Sequence, residues 1–75
     1  MASSEPLWVV ENALGERTYC FLSLVGDGYR LLVKRENEVL VSEQHDVPRT
    51  GIDRAAAIYR QLVEAGWTPV VDDSS

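Results

Sequence analysis

The sequence predicts an α+β fold: a meander of three or four antiparallel strands followed by one C-terminal amphipathic helix packed on one sheet face. Two observations predict this class. Short runs rich in β-branched, aromatic and leucine residues alternate with turn residues over positions 7–42, and connections this short allow only antiparallel pairing. Apolar residues then recur with helical spacing over positions 52–63.

The strands are expected at 7–10, 18–25, 29–35 and 39–42. Gly15 marks the first turn, residues 26–28 with two glycines around an aspartate mark the second, and residues 36–38 mark the third. The register of the fourth strand stays open, because a two-residue turn would place Leu40 inside instead of its two neighbours.

The helix is predicted from its ends as well as from its periodicity. Thr50 and Asp53 have the spacing of a capping box at the start. Gly66 stands where a left-handed C-terminal cap is expected, and Pro69 prevents continuation, so residues 68–71 form at most a short edge segment. The apolar stripe expected against the sheet comprises Ile52, Ala55, Ala56, Ile58, Tyr59, Leu62 and Val63.

The 75-residue, 8.4 kDa chain allows one domain spanning 1–75, in which the polar ends 1–5 and 72–75 are expected to fray. The formal net charge of −5 argues against nucleic acid as a partner. A single cysteine excludes an internal disulfide, and the sequence shows neither a signal peptide nor an apolar run near the ~20 residues of a membrane span. We therefore expect an acidic cytoplasmic protein with no membrane partner.

The two faces of the predicted sheet follow from the hairpin at residues 26–28. If these three residues close it, Val25 lies opposite Tyr29, and alternation assigns every other side chain. The face expected under the helix comprises Tyr19, Phe21, Val25, Tyr29, Leu31 and Val33. The opposite face comprises Cys20, Leu22, Leu24 and Leu32, with Thr18, Arg30 and Lys34 around them.

One helix cannot cover both faces, so the leucine-bearing face is expected to be an interface. Its predicted residues are Leu22, Leu24 and Leu32, with Arg30 and Lys34 as a polar rim. The alternative left open is that the first strand, the 67–71 segment or the Lys34 stem covers these leucines.

No catalytic residue is predicted. His45 and Asp46 are adjacent and point apart in an extended segment, and Cys20 has no second cysteine or histidine nearby in sequence to activate it. A zinc site needs about four ligands, more than the chain offers, so neither a metal nor a cofactor is expected. An enzyme is the least favoured class.

The sequence therefore favours a small non-catalytic protein-interaction or regulatory module, self-associating as a homodimer through the leucine-bearing face. One alternative is a nucleic-acid-binding sheet, since strands followed by one helix are similar in order to small DNA-binding domains that read the major groove with a sheet. Its candidate contacts are Arg17, Arg30, Lys34 and Arg35. The expected register offers no aromatic side chains among these cations, which argues against a stacking platform.

A third reading is an acidic inhibitor that imitates nucleic acid. Its candidate residues are Asp46, Asp53, Glu64, Asp72 and Asp73. It requires these carboxylates to line one surface at the spacing of successive phosphates.

Overall fold

The structure is a computed structural model and describes residues 6–70. Within them, five strands form one antiparallel sheet in the order β4-β3-β2-β1-β5. The elements are β1 (Trp8–Glu11), β2 (Arg17–Val25), β3 (Gly28–Arg35), β4 (Glu38–His45), α1 (Pro48–Glu64) and β5 (Thr68–Pro69). The predicted α+β class is confirmed, and the segments expected to fray, 1–5 and 72–75, lie outside the described residues.

The first two turns explain why the meander folds back so tightly. The Asn12 Oδ1 atom accepts hydrogen bonds from the backbone N–H groups of Leu14 and Glu16, each at 2.9 Å, and Gly15 takes a φ of 85°. The β2–β3 hairpin closes on Gly26 and Asp27 alone, and positive φ at Gly26 (60°) only is the pattern of a type II′ turn.

This two-residue turn overturns the predicted register of β2. Val25 pairs with Gly28 rather than with Tyr29, and a shift of one residue moves every side chain of a strand to the other face. Cys20 and Leu22 therefore face the helix, while Tyr19 and Phe21 face away. The prediction for β3 is correct, since Leu31 and Val33 are buried beneath the helix.

A β-bulge settles the register that the sequence left open in β4. Val33 pairs with Val41, but Lys34 pairs with Val39, so Leu40 is the extra residue. Val41 packs against the core, whereas Val39 and Leu40 are exposed. The strand also continues to His45, three residues beyond its predicted end.

The helix begins two residues before the predicted capping box. Pro48 takes the first helical position, Val47 is an extended N-cap without a side-chain cap, and Thr50 lies inside the first turn. The C-terminus is as predicted: Gly66 has a φ of 108°, and the Trp67 and Gly66 N–H groups bond the carbonyls of Leu62 and Val63 in a Schellman motif.

The core lies between α1 and one sheet face. Its buried residues are Cys20, Leu31, Val33, Ala55 and Ile58, and Trp8, Leu22, Val41 and Leu62 pack around them. Gly51 allows the helix to approach, because a Cβ there would lie 2.8 Å from a Leu22 methyl. The predicted apolar face of the helix is wider than the sheet covers, and Ile52, Ala56 and Val63 are exposed. Among residues 6–70, no helix is long and apolar enough to cross a membrane.

Candidate functional site

The sheet surface opposite α1 is left uncovered by every helix and strand within residues 6–70. We call it the open face. Strand pairing places Tyr19 beside Lys34, Phe21 beside Leu32, and Ser23 beside Arg30 on this surface. By strand alternation Arg17, at the start of β2, and its partner Glu11 on β1 also lie on this surface.

Two aromatic rings occupy the centre of the open face. Tyr19 and Phe21 are only partly buried, their ring centroids are 6.3 Å apart, and their planes differ by 14°. Leu32 lies across from Phe21 and supplies an aliphatic neighbour. The result is a partly exposed apolar strip about two rings long.

Cations surround these rings. Arg17 pairs with Glu11 at 3.3 Å, and this carboxylate raises the pKa of the Arg17 guanidinium. No ion pair found within residues 6–70 involves Arg30 or Lys34. The open face thus carries three cations against one carboxylate, although the whole chain has a net charge of −5.

The predicted interface is divided by the sheet itself. Leu32, Arg30 and Lys34 lie on the open face as expected. Leu22 instead packs under α1 beside Gly51, and Leu24, on the same side of the strand, is 69% exposed. The five residues therefore do not form one surface, because the register assumed for β2 was wrong.

The predicted basic cluster loses one member and gains two aromatic neighbours. Arg35 lies on the helix side, with its guanidinium 5.0 Å from the centre of the Trp67 ring. Arg17, Arg30 and Lys34 lie on one face with Tyr19 and Phe21, which were expected on the face under the helix. A two-residue turn at Gly26 and Asp27, read from the sequence, would have assigned both rings to this face.

The acidic candidates do not gather. Asp53 and Glu64 are both on α1 but stand eleven residues apart, roughly 16 Å along the axis. Asp46 lies in the loop before the helix, and Asp72 and Asp73 lie outside the described residues. This spacing gives no support to nucleic-acid mimicry, since successive phosphates of one strand advance by only about 3.4 Å.

A polar cluster joins the end of β4 to the first turns of α1. His45 Nε2 lies 3.1 Å from Glu43 Oε1, and its Nδ1 lies 3.0 Å from the Thr50 hydroxyl. Arg54 donates to the other Glu43 oxygen at 3.1 Å. Arg54, followed by His45, lowers the pKa of the Glu43 carboxyl. The histidine partner is therefore Glu43, two residues away on the same strand face, and not Asp46.

The order hydroxyl, imidazole, carboxylate resembles a nucleophilic triad, but the protons are placed differently. The Thr50 hydroxyl donates its single proton to the Val47 carbonyl at 3.0 Å, so the imidazole does not receive it. The Glu43 carboxylate contacts both the imidazole and the Arg54 guanidinium. The arrangement fastens the strand to the helix.

The remaining chemistry-bearing side chain is the Cys20 thiol. It is fully buried in the core, and burial raises its pKa to about 11, so the reactive thiolate is suppressed. Across residues 6–70, no three or more His, Cys, Asp and Glu side chains are grouped in a way that could hold a metal ion.

Comparison with known proteins found no matching family model, no matching curated protein and no matching solved structure.

Proposed function

We propose that this protein is a non-catalytic binding module whose open face binds single-stranded nucleic acid. The observation that carries the proposal is the placement of the stacked Tyr19 and Phe21 rings on the same surface as Arg17, Arg30 and Lys34. Exposed aromatic rings among cations are the arrangement by which sheets bind unpaired bases.

The rings supply the contact with bases. Tyr19 and Phe21 are next-but-one neighbours on β2, so two successive bases can stack on adjacent rings. Such stacking contributes about 1–3 kcal/mol per base and tolerates any base, because every base has a flat π face. The site therefore favours single strands over duplexes, whose bases are already stacked.

The cations supply the contact with phosphates. Lys34 lies beside Tyr19, and Arg30 lies four residue pairs further along the same two strands, beside Ser23. A backbone running over the rings thus meets positive charge on both sides of the stacked bases. With about three phosphates neutralised, the logarithm of the affinity should fall with the logarithm of salt concentration with a slope of about −2.

Self-association through this face, the function favoured by the sequence, is the competing proposal. It was based on a leucine-bearing surface, but Leu22 packs under the helix and is not on this face. Stacking two open faces would also bring Arg17, Arg30 and Lys34 of each copy into one partly dehydrated layer with few carboxylates. Like charges placed together in this way disfavour the complex.

The decisive experiment is fluorescence anisotropy of labelled oligo(dT) and oligo(U) strands titrated with the full chain at several salt concentrations. We expect saturable binding that weakens with salt. Tyr19→Leu with Phe21→Leu should weaken it about tenfold or more, since leucine keeps the apolar contact but removes the π face. A protein partner or a second copy would tolerate these leucines better.

The cations have a matched control. Arg30→Ala and Lys34→Ala should each weaken binding and lower the salt slope by about 0.7. Arg49→Ala removes one exposed cation from the first turn of α1 and should leave binding unchanged. If low salt reveals no binding to either strand, or if Arg49→Ala weakens it as much as Arg30→Ala, the proposal is wrong.

A further inference from the structure

A second apolar surface runs along the side of α1. It comprises Ile52, Ala56, Tyr59 and Val63, which we call the helix stripe. Ile52 is 50% exposed and Val63 38% exposed, and Ala56 is exposed as well. At about 100° per residue this stripe lies roughly a quarter-turn around the helix from Ala55 and Ile58, which face the sheet. The helix is thus apolar beyond what its own sheet covers.

The helix stripe continues into a groove between α1 and the β1–β5 edge of the sheet. The groove has a volume of about 510 Å³ and is lined by Ala56 and Tyr59 on one side and by Leu7, Trp8, Val9, Pro69 and Val70 on the other. Its floor is fixed, because Trp8 Nε1 donates to the Ala55 carbonyl at 3.0 Å and its ring lies 5.7 Å from that of Tyr59. Stripe and groove form one apolar surface with little polar character.

We propose that this surface binds a second copy of the same chain, with the two α1 helices antiparallel about a two-fold axis. The spacing of the stripe residues is four, three, four, which is the seam spacing of paired helices and reads the same in both directions. Antiparallel pairing therefore sets Tyr59 against the small Ala56 of the second copy, and Ile52 against Val63. A surface that complements itself in this way is what a two-fold interface requires.

Charge supports the same arrangement. Asp53 and Arg60 are exposed and flank the helix stripe on its side away from the sheet, one near each end. In the antiparallel pair, Asp53 of each copy lies alongside Arg60 of the other, giving two ion pairs across the interface. Parallel helices about a two-fold axis would put these flanks on opposite sides of the seam, so neither ion pair could form. The surface that best complements the helix stripe is therefore the helix stripe of a second copy in the antiparallel orientation.

The dimer leaves both open faces uncovered, because the helix stripe and the open face are on different sides of the sheet. It is also independent of the proposed function: loss of nucleic-acid binding would leave this interface untouched. A chain of 75 residues buries a smaller fraction of its unfolded surface than a larger domain does, so added burial at the helix stripe would stabilise the fold.

The test is sedimentation equilibrium of the full chain up to about 500 µM, which detects dimers of modest affinity. The wild-type chain is expected to dimerise. Ala56→Arg, which places a long charged side chain at the centre of the stripe, should raise the dissociation constant at least tenfold. Gln61→Arg adds the same side chain on the exposed face away from the stripe and should leave it unchanged. Circular dichroism checks that each variant keeps its helix.

Charge reversal tests the antiparallel direction. Asp53→Arg should weaken the dimer by placing two arginines together, and Asp53→Arg combined with Arg60→Asp should restore it to near the wild-type affinity. A wild-type chain that stays monomeric at the highest concentration overturns the proposal, and a different partner would then occupy the groove. A double reversal no tighter than the single one overturns it too.

Discussion

The two faces of this sheet differ in where their aromatic residues lie. The centre of the covered face uses small and aliphatic side chains, Cys20, Leu31 and Val33, over which the helix packs, and its Trp8 ring lies on β1 beside them. The open face carries the larger rings of Tyr19 and Phe21. Size and hydrophobicity alone therefore do not identify a core, because an uncovered sheet face can carry the same residue types.

The largest expected effect separates these faces at adjacent positions of β2. Cys20→Lys places a charge in the fully buried layer beneath the helix, at a cost of more than about 3 kcal/mol, a large part of the stability of a domain this size. Tyr19→Lys puts the same side chain on the open face, where water reaches it, and should leave the fold intact. Urea unfolding of both variants measures the difference. The register expected from the sequence predicts the opposite ranking, so a less stable Tyr19→Lys variant would contradict the structure.

How far the sequence carries depends on whether the signal is local. The C-terminal end of α1 was predictable, because Gly66 and Trp67 make a cap from neighbouring residues alone. The face of β3 was predictable for a similar reason, since Leu31 and Val33 alternate along the strand with two cations and Leu32. The face of β2 was not, because residues 26–28 fit both a two- and a three-residue turn.

The candidate site inherited that error. Arg17, Arg30 and Lys34 were identified as a basic cluster, but their aromatic neighbours Tyr19 and Phe21 were assigned to the core. At the helix N-terminus the sequence offered Thr50 as a cap, whereas Pro48 and its extended neighbour begin the helix earlier. How much of the apolar face of α1 the sheet covers depends on contacts between residues far apart in sequence, which no local pattern specifies.

The second expected effect concerns the covered face as pH rises. The folded protein holds the Cys20 thiol with its pKa raised to about 11, against an ordinary value of 9.0. Above pH 9 the unfolded chain loses its thiol proton while the folded chain retains it, so stability should fall between pH 9 and about 11 and stay unaffected below. The loss approaches 3 kcal/mol, from about 1.4 kcal/mol per pKa unit.

The Cys20→Ala variant isolates this contribution, because it retains every other group that titrates in the same range. The difference in unfolding free energy between it and the wild type, measured at several pH values, should therefore change above pH 9. A difference that stays constant from pH 7 to 11 would show that the thiol is not held neutral in the covered face.

A smaller effect is expected at the turn that decides which side of β2 faces the helix. Gly26 has a φ of 60°, and an added Cβ would meet no atom within 4 Å, so the cost of Gly26→Ala is conformational rather than steric. We expect a loss of roughly 1 kcal/mol in thermal or urea unfolding. The opposite result, a variant as stable as the wild type, would favour the wider three-residue turn and with it the alternative assignment of the two faces.

The smallest expected effect is a gain at the next turn along the chain. Glu36 has a positive φ of 52°, the only such value among the non-glycine residues described, and the turn joins β3 to β4 over two residues. Glycine adopts this conformation without the crowding that Cβ brings, but it also makes the unfolded chain more flexible, and the two contributions partly cancel. Glu36→Gly should therefore stabilise the hairpin by less than about 1 kcal/mol, read from the midpoint of urea unfolding with an unchanged slope. Asn37→Gly is the matched control. Asn37 does not have a positive φ, so this variant should be less stable than the wild type. If both glycine variants lose the same stability, Glu36 is not strained. The bulge at Leu40, rather than the turn, then determines the register between β3 and β4.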